Sequence, residues 1–184
     1  LPLDTTEDIT INWSSSNENI ATVNGDGEVT AVGGGTATIT ASCGGKTATC
    51  QVTVKVPIRG VTLNKSTITL EKGSSETLIA TVLPEDTTEE KTVIWSSSDE
   101  SIATVTETGE ITAVGAGNTT ITTSCGGKIA TCDVIVKVSI SSIALNKNEL
   151  ILEKGNTETL IPSILPLDTT EDKTINWSSS NENI

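Results

Sequence analysis

The sequence contains no histidine, methionine, tyrosine or phenylalanine, and its aromatic residues are three tryptophans. Without histidine, the chain can form no Ser-His-Asp triad, Cys-His dyad or histidine-ligated zinc or haem site. Basic residues are also scarce: 11 Lys and Arg stand against 24 Asp and Glu, a net charge of −13. A chain this acidic repels phosphate backbones, so we expect no nucleic-acid binding. No apolar run approaches the roughly 18 residues of a membrane helix, so we expect no membrane insertion.

Hydroxyl side chains are abundant instead. The chain has 33 Thr and 19 Ser, so 52 of its 184 residues carry a hydroxyl group. The hydrophobic share is 35%, and it comes mostly from Ile, Val, Leu and Ala. Threonine, valine and isoleucine favour the pleated, half-buried surface of a β-sheet. Because no stretch shows a sustained helical period, the composition predicts an all-β fold.

A repeat of about 82 residues organises the chain. The residues that recur at this constant interval are Trp13, Trp95 and Trp177, Cys43 and Cys125, and Cys50 and Cys132. The predicted domains are the C-terminal part of a repeat (1–56), a complete repeat (57–138) and the N-terminal part of a further repeat (139–184). No signal peptide is visible, and the sequence begins and ends inside a repeat. We expect it to be a fragment of a longer tandem array.

About seven short strands are predicted in the complete repeat, which is typical of an Ig-like β-sandwich. Their candidate segments are Arg59–Leu63 with Thr67–Leu70, Glu76–Val82, Thr92–Ser96, Ile102–Val105, Glu110–Val114, Asn118–Cys125 and Lys128–Val138. Gly126-Gly127 between the last two segments is a two-residue hairpin signal. The residues expected inside the sandwich are Val93, Trp95, Ile111, Ile121 and Val134.

Six strings in this repeat resemble a known family. They are Val61-Thr-Leu-Asn, Leu83-Pro-Glu-Asp, Val93-Ile-Trp-Ser-Ser-Ser-Asp, Ser101-Ile-Ala-Thr-Val, Gly109-Glu-Ile-Thr-Ala-Val-Gly and Ala130-Thr-Cys-Asp-Val. Together they closely resemble the bacterial Ig-like domain, group 2, and the match spans the whole chain in three registers. The resemblance implies tandem modules of secreted or surface-anchored bacterial and phage proteins, including adhesin stalks. It carries over no catalytic residue, because the family has no known active site.

The candidates for disulfides are paired at one spacing in two repeats: Cys43 with Cys50, and Cys125 with Cys132. Such pairs fit one disulfide per domain in an oxidising compartment. A tight turn at the two intervening glycines would instead place Cys43 opposite Lys46 and Cys50 opposite Ile39, too far apart to bond. Reduced, partly buried thiols are therefore the alternative. Metal binding is least favoured, because two thiolates without histidine or a third cysteine make a poor zinc site.

No cofactor is predicted. Acidic segments that could bind Ca²⁺ together with backbone carbonyls are Asp4–Asp8, Glu85–Glu90 and Asp168–Asp172, but solvated turn residues are the favoured interpretation. Each repeat has one tryptophan, whereas carbohydrate sites present exposed aromatic residues in groups. The tryptophans are therefore predicted to be core anchors rather than sugar-binding platforms: Trp13, Trp95 and Trp177.

The predicted function is a structural or spacer module of an extracellular bacterial surface protein or fibre, without enzymatic activity. The alternative is an adhesive module that binds a protein or glycan through inter-strand loops such as Ser96–Glu100. Residues 1–56 lack the first two strands of a sandwich, and residues 139–184 supply them. Neighbouring copies are therefore candidate partners, docked head to tail by strand complementation. The favoured alternative is that the missing strands belong to further sequence of the tandem array. The sequence identifies no external ligand.

Overall fold

The computed structural model describes residues 10–181, and the regular secondary structure of this segment consists of β-strands. Within this segment, no helix has the length and apolar character of a membrane span. The strands are β1 (Asn12–Ser15), β2 (Ala21–Val23), β3 (Val29–Ala31), β4 (Gly35–Cys43), β5 (Lys46–Val54), β6 (Gly60–Leu63), β7 (Thr67–Glu71), β8 (Ser75–Thr77), β9 (Ala80–Leu83), β10 (Ile94–Ser97), β11 (Ala103–Val105), β12 (Glu110–Ala113), β13 (Gly117–Cys125), β14 (Lys128–Lys137), β15 (Ser142–Leu145) and β16 (Pro162–Leu165).

The sequence repeat is also a repeat of backbone conformation. Strands β1–β5 recur one repeat later as β10–β14, and β6 and β9 recur as β15 and β16. Glycines with positive φ, which other residues rarely adopt, mark the same turns in successive repeats. They form five pairs of equivalent positions: Gly27 and Gly109, Gly35 and Gly117, Gly44 and Gly126, Gly45 and Gly127, and Gly73 and Gly155. The peptide bonds before Pro84 and Pro166 are both cis.

The described residues form two compact units. The first contains the chain up to Thr62 together with residues 80–93 and 124–129. The second contains residues 63–79, residues 94–123 and the chain from Ala130 onward. The repeat boundaries at 56/57 and 138/139 stay a prediction.

In the second unit, two sheets enclose a hydrophobic core. One sheet has the strand order β10-β13-β14-β7, with β7 parallel to β14, and the other has the order β11-β12-β8. Alternate residues of these strands point inward, because successive side chains of a strand face opposite sides. The buried members of the core are Ile68, Leu70, Leu78, Ala103, Ile111, Ala113, Ile121, Cys132, Val134 and Val136. The all-β, Ig-like fold predicted from the sequence is confirmed.

The predicted interior of the complete repeat is largely as observed. Ile111, Ile121 and Val134 are fully buried. Val93 is half-buried, and Trp95 packs against the core while keeping part of its indole in solvent. A Cβ atom added to Gly109 would lie 2.9 Å from Cζ2 of Trp95, so the indole ring packs directly against this glycine.

The single strand predicted over Glu76–Val82 is wrong. Two strands occupy this segment: β8 pairs with β12, and β9 pairs with β6. Leu78 lies between them, is buried, and donates its amide proton to the carbonyl oxygen of Gly109 over 2.9 Å. The chain therefore passes from one sheet to another at Leu78, although apolar residues continue at every second position through Val82.

The first unit has a smaller core. Strands β1, β4 and β5 form one sheet with β4 in the middle, and the buried members of the core cluster packed against it are Ala21, Ala37 and Ile39. Trp13 is half-buried against them and lies on Gly27 as Trp95 lies on Gly109. On β5, Cys50 is exposed, whereas its counterpart Cys132 on β14 is fully buried. Cys132 belongs to the core of the second unit and its strand β14 pairs with β7, whereas β5 is an edge strand of its sheet.

Within residues 139–181 the regular structure is the antiparallel pair of strands β15 and β16. Many large apolar side chains of this segment are exposed, among them Ile143, Leu150 and Leu152. Trp177 is 57% exposed, so its prediction as a core anchor is corrected. Trp95 packs against Gly109, and the residue equivalent to Gly109 for Trp177 would be residue 191, which is not part of the 184-residue sequence.

Candidate functional site

The string Leu-Pro-x-Asp-Thr-Thr-Glu occurs in all three repeats, ending at Glu7, Glu89 and Glu171. The first copy lies outside the described residues. In the other two copies, the amide of the first threonine donates to the carbonyl oxygen of the proline over 3.2 Å, which closes a tight turn. We term these turns, residues 84–89 and 166–171, the junction loops.

The first junction loop holds the linker that follows β5. The Val56 carbonyl oxygen accepts hydrogen bonds from Oγ1 of Thr87 at 2.7 Å and from the amide of Thr88 at 3.0 Å. The Val56 amide donates to Oγ1 of Thr88 at 3.0 Å. Two residues on, the Ile58 amide donates to Oε2 of Glu89 at 2.8 Å. Thr87 and Glu89 are themselves joined, since the Glu89 amide donates to Oγ1 of Thr87 at 3.2 Å.

The second junction loop makes the same contacts with the linker that follows β14. The Val138 carbonyl oxygen accepts from Oγ1 of Thr169 at 2.7 Å and from the amide of Thr170 at 2.9 Å. The Val138 amide donates to Oγ1 of Thr170 at 3.1 Å, and the Ile140 amide donates to Oε2 of Glu171 at 2.7 Å. Corresponding hydrogen bonds at the two junctions therefore have nearly the same length.

Two polar contacts are added at the second junction. Nζ of Lys72 lies 2.8 Å from Oδ2 of Asp168, and Oγ of Ser139 donates to Oε2 of Glu71 at 3.1 Å. The hydrogen bond from Lys72 lowers the pKa of Asp168 below its ordinary value of 3.8. The ion pair therefore contributes to stability above that pH and is lost as the pH falls through the lowered pKa. Both groups are exposed, so solvent screens the contact and its contribution is small.

The first junction also includes a close approach of the β3–β4 turn. A Cβ atom added to Gly34 would lie 2.7 Å from Cγ2 of Thr88, 3.1 Å from Cγ2 of Val56 and 3.3 Å from the carbonyl oxygen of Asp86. The corresponding residue of the next repeat is Ala116. A small residue at this position lets the turn pack directly against the junction loop.

A groove lies beside each junction loop. It measures about 390 Å³ at the first junction, where Val54, Lys55 and Glu89 contribute to its walls. It measures about 450 Å³ at the second, where the counterparts Lys137 and Glu171 do so. Both grooves are lined by the same structural positions, so they are a product of the repeated junction.

The acidic segments considered for Ca²⁺ serve a different role where the structure describes them. Glu89 and Glu171 accept backbone hydrogen bonds, and Asp168 pairs with a lysine. Among residues 10–181, no three cysteine, aspartate or glutamate side chains lie close enough together to hold a metal ion. The segment Asp4–Asp8 lies outside the described residues.

The disulfide prediction is corrected, because all four cysteines are thiols. A two-residue turn pairs Cys43 with Lys46 and Cys50 with Ile39, as the tight-turn alternative requires. Lys46 lies opposite Cys43, and Cys50 is four residues further along β5, a distance of roughly 13 Å. A disulfide requires Cα atoms within about 7 Å of each other, so Cys43 and Cys50 cannot bond. Burial raises the pKa of the Cys132 thiol, and the nearby Asp133 and Glu76 carboxylates add to this effect.

Sequence reasoning missed the threonines and the glutamate of the junction loops. It treated them as solvated turn residues, because a polar loop rich in Thr and Glu has no hydropathy pattern. The available signal was repetition: the seven-residue string keeps its Pro, Asp, Thr, Thr and Glu even in the middle repeat, which has diverged elsewhere.

Comparison with known families agrees with this architecture. The model of the bacterial Ig-like domain, group 2, matches residues 4–55 and 57–132. The chain belongs to this family. The Ig-like virion protein of Serratia phage KSP90 is 38% identical to it over 135 residues, which cover 68% of this chain and 52% of that protein.

Proteins of other kinds also match this chain. The minor capsid protein of Enterobacteria phage T3 is 45% identical over 83 residues, 45% of this chain and 18% of that protein. The alpha-L-arabinofuranosidase of Bifidobacterium longum is 38% identical over 143 residues, 74% of this chain and 13% of that protein. The chain spans at most about half of the length of the curated relatives that it matches.

Proposed function

We propose that this chain is a non-enzymatic structural module of an extracellular protein, displayed on a bacterial surface or on a virion. The observation that carries the proposal is the pair of junctions, which repeat the same hydrogen bonds at both ends of the complete repeat. A module that spaces other parts of a protein needs joints of this kind. Relatives named as virion and capsid proteins support the location.

Stretching single molecules of the chain tests the structural role. We expect the complete repeat to resist force and then to unfold in one step that releases about 82 residues, at most about 295 Å of chain. The step should recur after relaxation. Gradual extension without a step would contradict the proposal, because such a repeat would carry no load.

A binding screen against glycans and surface proteins tests the adhesive alternative. For a structural module we expect no saturable binding. Ser96 and Ser97 belong to β10, so the loop part of this segment is Ser98–Glu100. Saturable binding that is lost when Ser98–Glu100 is replaced by a Gly-Ser loop of equal length would show an adhesive function. Replacement of the exposed turn residues Thr106–Thr108 by a Gly-Ser segment of equal length is the control.

We further propose that copies of the chain associate head to tail. In the complete repeat, Ile68 and Leu70 of β7 are buried against the core. Their counterparts in the last repeat are Leu150 and Leu152, which are exposed. The strands that cover Ile68 and Leu70 have their own counterparts in residues 12–56. A second copy can therefore supply strands that cover Leu150 and Leu152, by the mode known as strand complementation.

One structural conflict limits the geometry of this association. The segments Leu1–Ile20 and Leu165–Ile184 encode the same strand and differ at one position, Ile9 against Lys173. A completed sandwich has room for one of them, so the other must be displaced. The contact is heterologous and propagates into a fibre unless it closes into a ring.

Light scattering across a range of concentrations tests the association. We expect the mean mass to rise with concentration, and we expect the change of Leu150 and Leu152 to aspartate to abolish the rise. Ile151→Asp is the matched control, because Ile151 corresponds to the exposed Thr69. A monomer at every concentration, or an equal effect of the control, would show that the copies do not pair through these strands.

A further inference from the structure

We propose that the junction loop is the element by which each repeat locks the end of the repeat before it, by recognising the backbone of the linker. The inference deepens the structural role proposed above and rests on it. The named partner of each loop is the segment Val-x-Ile that follows the last strand of the preceding repeat. At the two described junctions these segments are 56–58 and 138–140.

The hydrogen bonds of the loop reach main-chain atoms of the linker. At the first junction they involve the amide and carbonyl groups of Val56 and the amide of Ile58. The residue between these two is Pro57, which has no amide proton to offer. At the second junction the same position is Ser139, and the contacts of its neighbours are unchanged. Recognition is therefore independent of the central side chain.

The loop side chains also fit this role chemically. Each threonine hydroxyl is small enough to lie beside an extended strand, and it can donate and accept at once. Thr88 uses both of its polar groups: its Oγ1 accepts from the Val56 amide, and its own amide donates to the Val56 carbonyl. The carboxylate of Glu89 adds a hydrogen bond to a charged acceptor, which is stronger than one between neutral groups. Both polar groups of Val56 are thus satisfied.

Each linker also has a buried side chain. Ile58 and Val138 are each 5% exposed. A buried backbone segment needs partners for its polar groups, and the junction loop supplies them. A linker held in this way opens rarely, so a protease that needs a flexible substrate cuts it slowly.

Limited digestion with trypsin measures this opening. The first linker has cleavage sites after Lys55 and Arg59, and the second has one after Lys137. We expect the change of Thr87 and Thr88 to valine to speed cleavage at the first linker about 10-fold, because at least two hydrogen bonds to Val56 are lost. Cleavage after Lys137 should keep its rate.

Each junction is the control for the other. The same change at Thr169 and Thr170 should speed cleavage after Lys137 and leave the first linker unaffected. Equal acceleration at both linkers, or at neither, would overturn the proposal. Serine in place of Thr87 and Thr88 retains the hydroxyl groups, so we expect a rate within about 2-fold of the parent protein. A serine variant cleaved as fast as the valine variant would also overturn it.

A milder change covers the case in which the valine variant unfolds. Glu89→Ala removes one hydrogen bond to the Ile58 amide and should speed cleavage at the first linker about 3-fold. Glu89→Gln keeps an acceptor oxygen and should restore the slow rate. If neither differs from the parent, the loop does not hold the linker. Because the cleavage rates after Lys55, Arg59 and Lys137 report on the linkers alone, failure here leaves the stretching and binding experiments to decide the structural function separately.

Discussion

Replacement of Gly109 by alanine should destabilise the complete repeat by about 4 kcal/mol, from backbone strain together with overpacking. Gly109 has a φ of +82°. An added Cβ atom would lie 2.5 Å from the carbonyl oxygen of Leu78 and 2.9 Å from Cζ2 of Trp95. The carbonyl belongs to the backbone and cannot rotate away, so the turn itself must shift. Urea unfolding followed by circular dichroism measures the change.

Gly73 provides the matched control for this substitution. Its φ is +86°, but no atom outside Gly73 and its two chain neighbours lies within 4 Å of an added Cβ atom. Gly73→Ala should therefore cost the conformational strain alone, about 1–2 kcal/mol. If the two variants are equally destabilised, the close contact of Gly109 with Leu78 and Trp95 is not what requires glycine in this turn.

Replacement of Ile121 by alanine should cost about 4 kcal/mol, within the range for deleting a large aliphatic side chain from a core. Ile121 is fully buried in the middle of β13. The cavity left behind lies between two sheets, whose hydrogen-bonded strands limit how far the structure collapses into it. The midpoint of urea unfolding should fall accordingly.

Ile129 offers the comparison at an exposed site. It lies on the neighbouring strand β14 and is 65% exposed. Ile129→Ala removes the same atoms, yet we expect a change within about 0.5 kcal/mol. A loss at Ile129 as large as the loss at Ile121 would contradict the assignment of these two side chains to the surface and the core.

Strands were predictable from the sequence wherever alternation and turn signals agree. The segment that became β13 and β14 shows both: inward residues such as Ile121 and Val134 alternate with polar ones, and Gly126-Gly127 marks the turn. The division between β8 and β9 was not predictable. Leu78, Ala80 and Val82 alternate across it without a break, because a strand that changes sheets keeps one face toward the core.

The candidate site was harder to predict for a physical reason. The junction loops act through hydrogen bonds to backbone atoms, and these leave no trace in hydropathy or charge spacing. Glu89 illustrates the difficulty: an acidic residue in a polar loop suggests solvent or a cation, whereas its actual partner is the amide of Ile58. For the cysteines, the absence of a disulfide was predictable from the two glycines between Cys43 and Cys50. A two-residue hairpin turn fixes the register of the two strands and keeps these cysteines apart.

Backbone recognition at the junctions has a genetic consequence. When recombination between similar segments duplicates or removes one complete repeat, the new neighbours meet through a linker and a loop of the same kind. The hydrogen bonds of that joint form with Pro57 between Val56 and Ile58, and equally with Ser139 at the corresponding position. We therefore expect that the number of units can change in a single event without a compensating substitution.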